Sequence, residues 1–558
     1  METKRYITAI GLSMLVLVVY LRFFAPQPPH APAGQQPAQQ EQAVTKEQPK
    51  ETAPAPASRT VAKSIAPAAK GRDIVIETDH VRAVVNTAGG VITAWELKDF
   101  READKEDVGI RPFLHRIFSG EKRIETPKKP LGNVQLFTRY EGVKPGEVIA
   151  PLTLTPDDQA LANVSAVEFR ADADAITLDK EKPTRTLTLT YTGPGGIAVE
   201  KKLTFHNDSY AVDIAITTKG FNGYTLALGT DFGMSDKVSS NAAGRVGFAA
   251  LVNGKLELEK IGSVKNDEQR TGDVTWFGQE DKYFTATLIA GGNGTVTETK
   301  TPAPKEIGDL LNSEIAVRDK TGSRTYTLYA GPKKLELLRS FGKGLDRMVD
   351  YGWFGVLARP MFWLMVQFYK ITRNYGIAII LLTLVVRGLL FYPSLKSAKA
   401  MEEMKSLQPQ MAALREKYKK DPQKLNAEMM RLYKEHKVNP LGGCLPMVLQ
   451  LPFFVALYNV LSVSIELRQS PFLSFWIKDL SVYDPYYILP ILMGVSMVAT
   501  MKMTSTSVDP QQQKMMMFMN IAFIFLFAWL PAGLLLYITL SNVLSMVQQL
   551  YVRRLLAA

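Results

Sequence analysis

Cysteine and histidine are scarce in this 558-residue chain, which holds one Cys and five His. A single thiol, Cys444, excludes an internal disulfide and a multi-cysteine zinc site. His30, His80, His115, His206 and His436 are scattered without metal-ligand spacing, so neither a metal nor a cofactor is expected. There is no Walker loop and no dinucleotide fingerprint. The Gly-Pro-Gly-Gly piece at 193–196 lies between Thr-rich strands and reads as a turn. The chain is therefore expected to be no enzyme, with neither covalent chemistry nor nucleotide hydrolysis of its own. The net charge of +12 comes without any recognisable nucleic-acid module, so sequence-specific nucleic-acid binding is not expected. The anionic face of a membrane is the better reading of that charge.

What is present divides the chain. Before about residue 340 it is polar and rich in Thr, Gly, Asp and Lys. Beyond that point long runs of Leu, Met, Phe and Ile predict helices that use lipid as solvent.

Residues 1–24 read as a transmembrane anchor. Lys4 and Arg5 precede an apolar run at 7–21, and Arg-Phe-Phe follows where a signal-peptide cleavage site would need small residues. A retained helix with a cytoplasmic N-terminus is expected. Residues 25–70, dominated by Pro, Ala and Gln, bury too little to offset ordering entropy and read as a flexible linker. From 71 to 340 the pattern has period two, as in Thr-Leu-Thr-Leu-Thr-Tyr at 186–191 and Tyr-Ala-Val-Asp-Ile-Ala-Ile at 210–216. With turn residues at the breaks, this predicts a large antiparallel β-sandwich outside the cytoplasm.

Residues 341–374 are predicted to form an interfacial amphipathic region. Trp363, Phe368 and Tyr369 with Lys370 and Arg373 suit a helix lying in the outer interface, with Pro360 in its first turn. A steep insertion is the alternative. In 375–558 five spans are expected, at 375–392, 441–464, 486–503, 515–530 and 533–552. The loop 393–440 carries eleven Lys and Arg against six Asp and Glu, which assigns it to the cytoplasm.

Three features are candidates for function. Arg387 lies in the cytoplasmic half of its span with no acidic residue in the spans to pair it. An intramembrane charge costs ~2.5–3.5 kcal/mol at the helix centre and marks function by default. Either the side chain snorkels to the interface or a wet cavity open to the cytoplasm holds it. Thr383, one turn earlier, shares its face. Gln450, Asn459, Ser462, Ser541, Asn542 and Ser545 are further polar span residues, for most of which interhelix hydrogen bonding is expected.

The third feature is the stretch 396–437. Met401, Met404, Leu407, Met411, Leu414 and Tyr418, then Leu425, Met429, Leu432 and His436, recur at helical spacing around an Asp421-Pro422 cap. They predict a cytoplasmic hairpin of two helices. Its inner face is a seam, and Met401, Met404, Met411 and Met429 are candidates for contact with varied apolar clients.

Several strings resemble the YidC family of the YidC/Oxa insertases. They are Leu-Thr-Leu-Val-Val-Arg at 382–387, Val-Asn-Pro-Leu-Gly-Gly-Cys-Leu-Pro at 438–446, Ile-Glu-Leu-Arg-Gln-Ser-Pro at 465–471, Asp-Pro-Tyr-Tyr-Ile-Leu-Pro-Ile-Leu-Met-Gly at 484–494, and the run from Pro531 to Asn542. In the N-terminal half the best piece is Trp-Phe-Gly-Gln-Glu-Asp-Lys-Tyr-Phe at 276–284. The resemblance is to the Gram-negative type. It implies a multi-domain inner-membrane protein with an all-β periplasmic supersandwich of galactose-mutarotase type, an N-terminal anchor and an α-helical core of five helices. It also implies a hydrophilic groove open to the cytoplasm, with the groove arginine at Arg387, the threonine at Thr383 and a tyrosine at Tyr537. A second family tyrosine is replaced here by Ile538.

The implied activity is insertion and folding of nascent membrane proteins, alone or with a Sec translocon, and with a possible part for the ribosome. Two other readings compete. A solute transporter would need internal repeats, which the spans do not display. A sugar-active sandwich would need paired acid and base groups, for which His80, His115 and His206 are the candidates.

Overall fold

A computed structural model of the chain describes residues 71–102, 132–137, 148–158, 164–220, 222–234, 246–264, 268–301, 309–317, 322–419, 421–436, 445–504 and 510–557. The expected anchor and linker, and His30 and His115, lie outside these residues.

Among the described residues the first half is β-structure in two sheets of five and thirteen strands. The smaller runs in the order Asn133–Phe137, Val91–Arg101, Val81–Asn86, Asp73–Glu77, Ala175–Thr177. Its last pair is parallel and the rest antiparallel. In the larger sheet the period-two segments pair as their patterns require. Thr184–Thr192 runs antiparallel to Ala198–His206, which pairs in turn with Ala211–Lys219. Leu187 and Leu189 point into the core while Thr186 meets Thr204 across the strands at 2.8 Å. The long strand Glu268–Glu280 pairs through its first half with Asn293–Thr301 and through its second with Phe284–Ile289. It therefore links two parts of the larger sheet.

Two side chains tie the sheets together. Trp95, from the smaller sheet, is 1 % exposed, donates Nε1–H to the carbonyl of Ala330 at 3.0 Å and meets Phe232 edge-on. Lys201, from the larger, is fully buried. Its Nζ donates to the carbonyls of Gly89 and Leu152 at 2.8 Å and of Gly90 at 3.1 Å, and it lies over the Phe169 ring. Desolvation pulls the pKa of this ammonium down to about 7.

Trp276 Nε1 bonds the carbonyl of Lys343 and so fastens the sandwich to the segment that leads to the helices. The helices are Gly355–Thr372, Tyr375–Leu389, Phe391–Ser406, Gln408–Lys417, Pro422–Glu435, Leu445–Val463, Ile488–Thr504, Pro510–Phe527 and Ala532–Ala557. Many of them turn apolar side chains outward. Leu384, Val385, Ile491, Val495, Phe518, Phe525 and Val547 are all exposed, an arrangement for lipid rather than water. Among the described residues, Ala532–Val552 is long and apolar enough to cross a bilayer unaided. Tyr375–Leu389 passes the same test together with Phe391–Ala400, across a bend of 61°. Leu449–Val463, Ile488–Met503 and Met517–Phe527 are shorter apolar helices.

Two local expectations need correction. Pro360 lies inside the helix Gly355–Thr372 rather than in its first turn. A 3-10 turn at Gly352–Phe354 runs straight into that helix and starts it five residues earlier. Trp353 and Val356 on this added part are 99 % and 85 % exposed, which extends the apolar outer face. Among the described residues the expected hairpin has three helices instead of two. Its first arm breaks at Leu407, and Pro409 sits at the start of Gln408–Lys417, where its missing N–H costs nothing. The cap is as expected, with Asp421 accepting from the Lys424 N–H at 3.1 Å.

Candidate functional site

The site begins with the helix Tyr375–Leu389. Asn374 caps it by accepting from the Ile377 N–H, and Asn374 Nδ2 donates to the Phe472 carbonyl at 2.9 Å. Gly376 lets Phe472 sit directly on the helix, because a Cβ at that position would meet the ring at 2.0 Å. These contacts fix the N-terminal end of the helix that carries Arg387.

Arg387 is half-buried, and Nη2 donates to the main-chain carbonyl of Ser541 at 2.7 Å. No carboxylate lies within ion-pairing distance of it among the described residues. Ser541 belongs to the helix Ala532–Ala557, one turn after Tyr537, so both lie on one face. Tyr537 is 1 % exposed. Its phenol is flanked by Gln450, from Leu445–Val463, and by the Ser541 side chain. Neither Tyr537 Oη nor Ser541 Oγ reaches a partner in good hydrogen-bond geometry. Arg387, Tyr537, Gln450 and Ser541 thus converge from three helices.

Thr383 lies one turn before Arg387 on the same helix. It is fully buried, and its hydroxyl donates to the Ile379 carbonyl one turn back, at 2.6 Å. Ile538, at the family's second tyrosine position, packs half-buried against the core. Two other polar span residues bond between elements. Asn459 donates to the Tyr351 carbonyl at 2.7 Å, and Asn542 to Ser496 Oγ at 3.2 Å. Glu466, the acid nearest these spans in sequence, sits at the end of Leu445–Val463 remote from Gln450. Its burial pushes the carboxyl up to about 7.

In the hairpin, Met404, Leu407, Met411, Leu432 and Tyr433 form a buried seam, with Leu414 and Met429 against it. Met404 and Met411 are 6 % and 5 % exposed. They face the hairpin's own arms, because the sulfur of Met411 takes the Tyr433 hydroxyl at 3.8 Å. The Met401 side chain lies outside the described set. Met430, which the spacing did not single out, is 50 % exposed. The carbonyl of Ser541 was also missed as the arginine's acceptor, because a main-chain group leaves no residue-type signal.

The sandwich histidines do not converge. His80 pairs with Asp99 at 2.6 Å, an aspartate also held by Tyr210, whereas His206 pairs with Asp213 at 3.0 Å. The string 276–284 is structural: Gln279 donates to the carbonyls of Gly229 and Leu311 and to Ser313 Oγ, and Glu280 pairs with Lys333 at 3.0 Å.

Residues 367–558 match the model of the 60Kd inner membrane protein family, and 124–364 that of the YidC periplasmic domain. A protein of Geobacter metallireducens, named membrane protein insertase YidC, is 35% identical over all of this chain and 99% of its own length. The chain belongs to the YidC family of membrane protein insertases. A Geobacter sulfurreducens relative of the same name is 40% identical over 65% of this chain and 70% of its own. A crystal structure of YidC from Thermotoga maritima covers 85% of this chain and 99% of its own, at 14% identity and a TM-score of 0.32. As a YidC-family insertase the chain is an inner-membrane protein with a periplasmic domain, and its substrates are membrane proteins entering the bilayer.

Proposed function

We propose that this insertase works through a hydrated groove, open to the cytoplasm and lined by Arg387, Thr383, Tyr537 and Gln450. The observation that carries the reading is the setting of Arg387. It lies among apolar helices and bonds a carbonyl rather than a carboxylate. A guanidinium has five N–H donors, so capacity remains for water and for an acidic client flank. Moving a client's polar flank across lipid costs several kcal/mol for each unsatisfied group. A path that is wet through half the bilayer shortens the dry part, and the client's apolar segment then moves sideways into lipid, downhill. On this reading no covalent step is needed, because burial of the client supplies the free energy.

The same reading takes the chain to cross the membrane six times, with both termini and the hairpin in the cytoplasm. The excess of Lys and Arg in 393–440 supports that orientation. The Sec translocon and the ribosome are the partners it implies for larger and for nascent clients. The test is insertion into proteoliposomes, with a photocrosslinker at position 387 and a stalled nascent chain. Adducts to the client are expected at 387. Arg387→Ala slows clients with acidic external tails, and Arg387→Lys does so less. Equal insertion of all clients by Arg387→Ala would remove the electrostatic role.

A further inference from the structure

In the periplasmic domain, four glutamates surround one arginine. Glu257 and Glu259 alternate along the strand Lys255–Lys260, so they share a face. Glu268 and Arg270 do the same along Glu268–Glu280, and Glu298 stands directly opposite Glu268 in the register with Asn293–Thr301. Like charges placed opposite each other on neighbouring strands destabilise a sheet. Arg270 reaches all four carboxylates. It binds Glu257 through Nε, Glu259 through Nη2, Glu268 through Nη2 at 3.1 Å and Glu298 through Nη1 at 3.3 Å. Its side chain is 10 % exposed and lies over the Phe248 ring. Lys255 pairs with Glu257 as well, at 3.3 Å, so Glu257 is shared between two cations.

A second observation points to a ligand. The Glu298 side chain is fully buried, and its Oε1 has no hydrogen-bond partner among the described residues. One carboxylate oxygen from each of Glu259, Glu268 and Glu298 lies within 4.8 Å of the others. That is the span a Ca²⁺ ion bridges with oxygens at about 2.4 Å. An all-oxygen set without His or Cys selects hard cations. Glu259 and Glu268 are partly open to solvent, at 26% and 28%, so water can complete the shell.

We propose that Glu259, Glu268 and Glu298 form a site for a divalent cation of the calcium type, with Arg270 as its fixed internal counter-charge. The ion would join three strands of the larger sheet and give the buried Glu298 Oε1 the partner it lacks among the described residues. Carboxylates brought together from three strands have no sequence spacing, which is why no motif reveals them.

The full chain, purified in detergent and stripped with EGTA, is titrated with CaCl₂ by calorimetry. One saturable site is expected, with a dissociation constant of roughly 10⁻⁴–10⁻³ M as in extracellular modules. Glu298→Gln and Glu268→Gln should each weaken it at least about tenfold, with circular dichroism unchanged. Should Glu298→Gln fail to fold, the partly exposed Glu268→Gln decides. No saturable binding to the wild type would overturn the proposal, as would an affinity that Glu268→Gln leaves unaltered.

Discussion

Arg387 Nη2 donates to the main-chain carbonyl of Ser541 across 2.7 Å, while the hydroxyl of the same serine is buried without a partner in good geometry. The serine therefore acts through its backbone. Ser541→Ala should keep the Arg387 contact and remove a poorly satisfied hydroxyl, which raises stability by up to about 1 kcal/mol. Insertion by this variant should match the wild type. A large loss of insertion would mean that the hydroxyl, not the carbonyl, serves the groove.

Lys201 gives the periplasmic domain a pH dependence. Its folded pKa is about 7 against an ordinary 10.5. Below about pH 7 the lysine is charged in both states, and the folded state bears the full cost of burying the charge. Between those values the unfolded chain holds a proton that the folded chain has released, so stability rises with pH, by at most about 1.4 kcal/mol per unit. Its contribution is complete above the unfolded value and is lost as pH falls through 7. Lys201→Met has no proton to release and leaves the carbonyls of Gly89, Gly90 and Leu152 without their donor, at about 1–3 kcal/mol each. Tryptophan-monitored denaturation of both proteins should show the wild type gaining on the variant from pH 7 upward. A constant difference would contradict the assignment.

The buried lysine also illustrates what sequence pattern could and could not convey. Alternation at 186–191 and 210–216 specified strands because a half-buried strand must alternate. Asp421-Pro422 specified a helix start because cap and first-turn proline are local devices. Lys201 looked like one more polar residue on such a strand, since its carbonyl partners lie more than a hundred positions earlier at Gly89 and Gly90. Arg387 was legible as an anomaly among apolar residues, and Tyr537 through family resemblance. The convergence of Gln450 on that pair depends on helix packing, which a one-dimensional pattern does not encode. The start of Gly355–Thr372 was misjudged because Pro360 fits a first turn equally well when read locally.

The close approach of Phe472 to Gly376 predicts a packing contact sensitive to substitution. Gly376→Ala places a methyl carbon on the ring, and the loop must shift. A cost of ~1–3 kcal/mol is expected from this overpacking, read as a lower Tm of the detergent-solubilised protein. Pairing it with Phe472→Leu, which makes room, should recover part of the loss. No recovery would mean that the glycine serves the helix backbone rather than the contact.

Trp95 joins the two sheets through both its ring and its N–H. Trp95→Ala should cost about 3–5 kcal/mol. Trp95→Phe keeps most of the burial, but it leaves the Ala330 carbonyl without this donor and should cost less. Chemical denaturation followed at Trp276 would rank the two, and equal losses would point to the hydrogen bond as the dominant part.

The hairpin methionines separate two models of client contact. Met404 and Met411 are sealed in the seam, whereas Met430 is half exposed on the outside of Pro422–Glu435. A thioether offers an adaptable apolar contact only where a client can reach it. A photoprobe at 430 should therefore give adducts with a nascent client, and probes at 404 and 411 should give few. If 404 reacts as strongly as 430, the arms must part during insertion. Locking the seam by a designed crosslink between the arms should then suppress adducts at 404 and leave those at 430 unchanged.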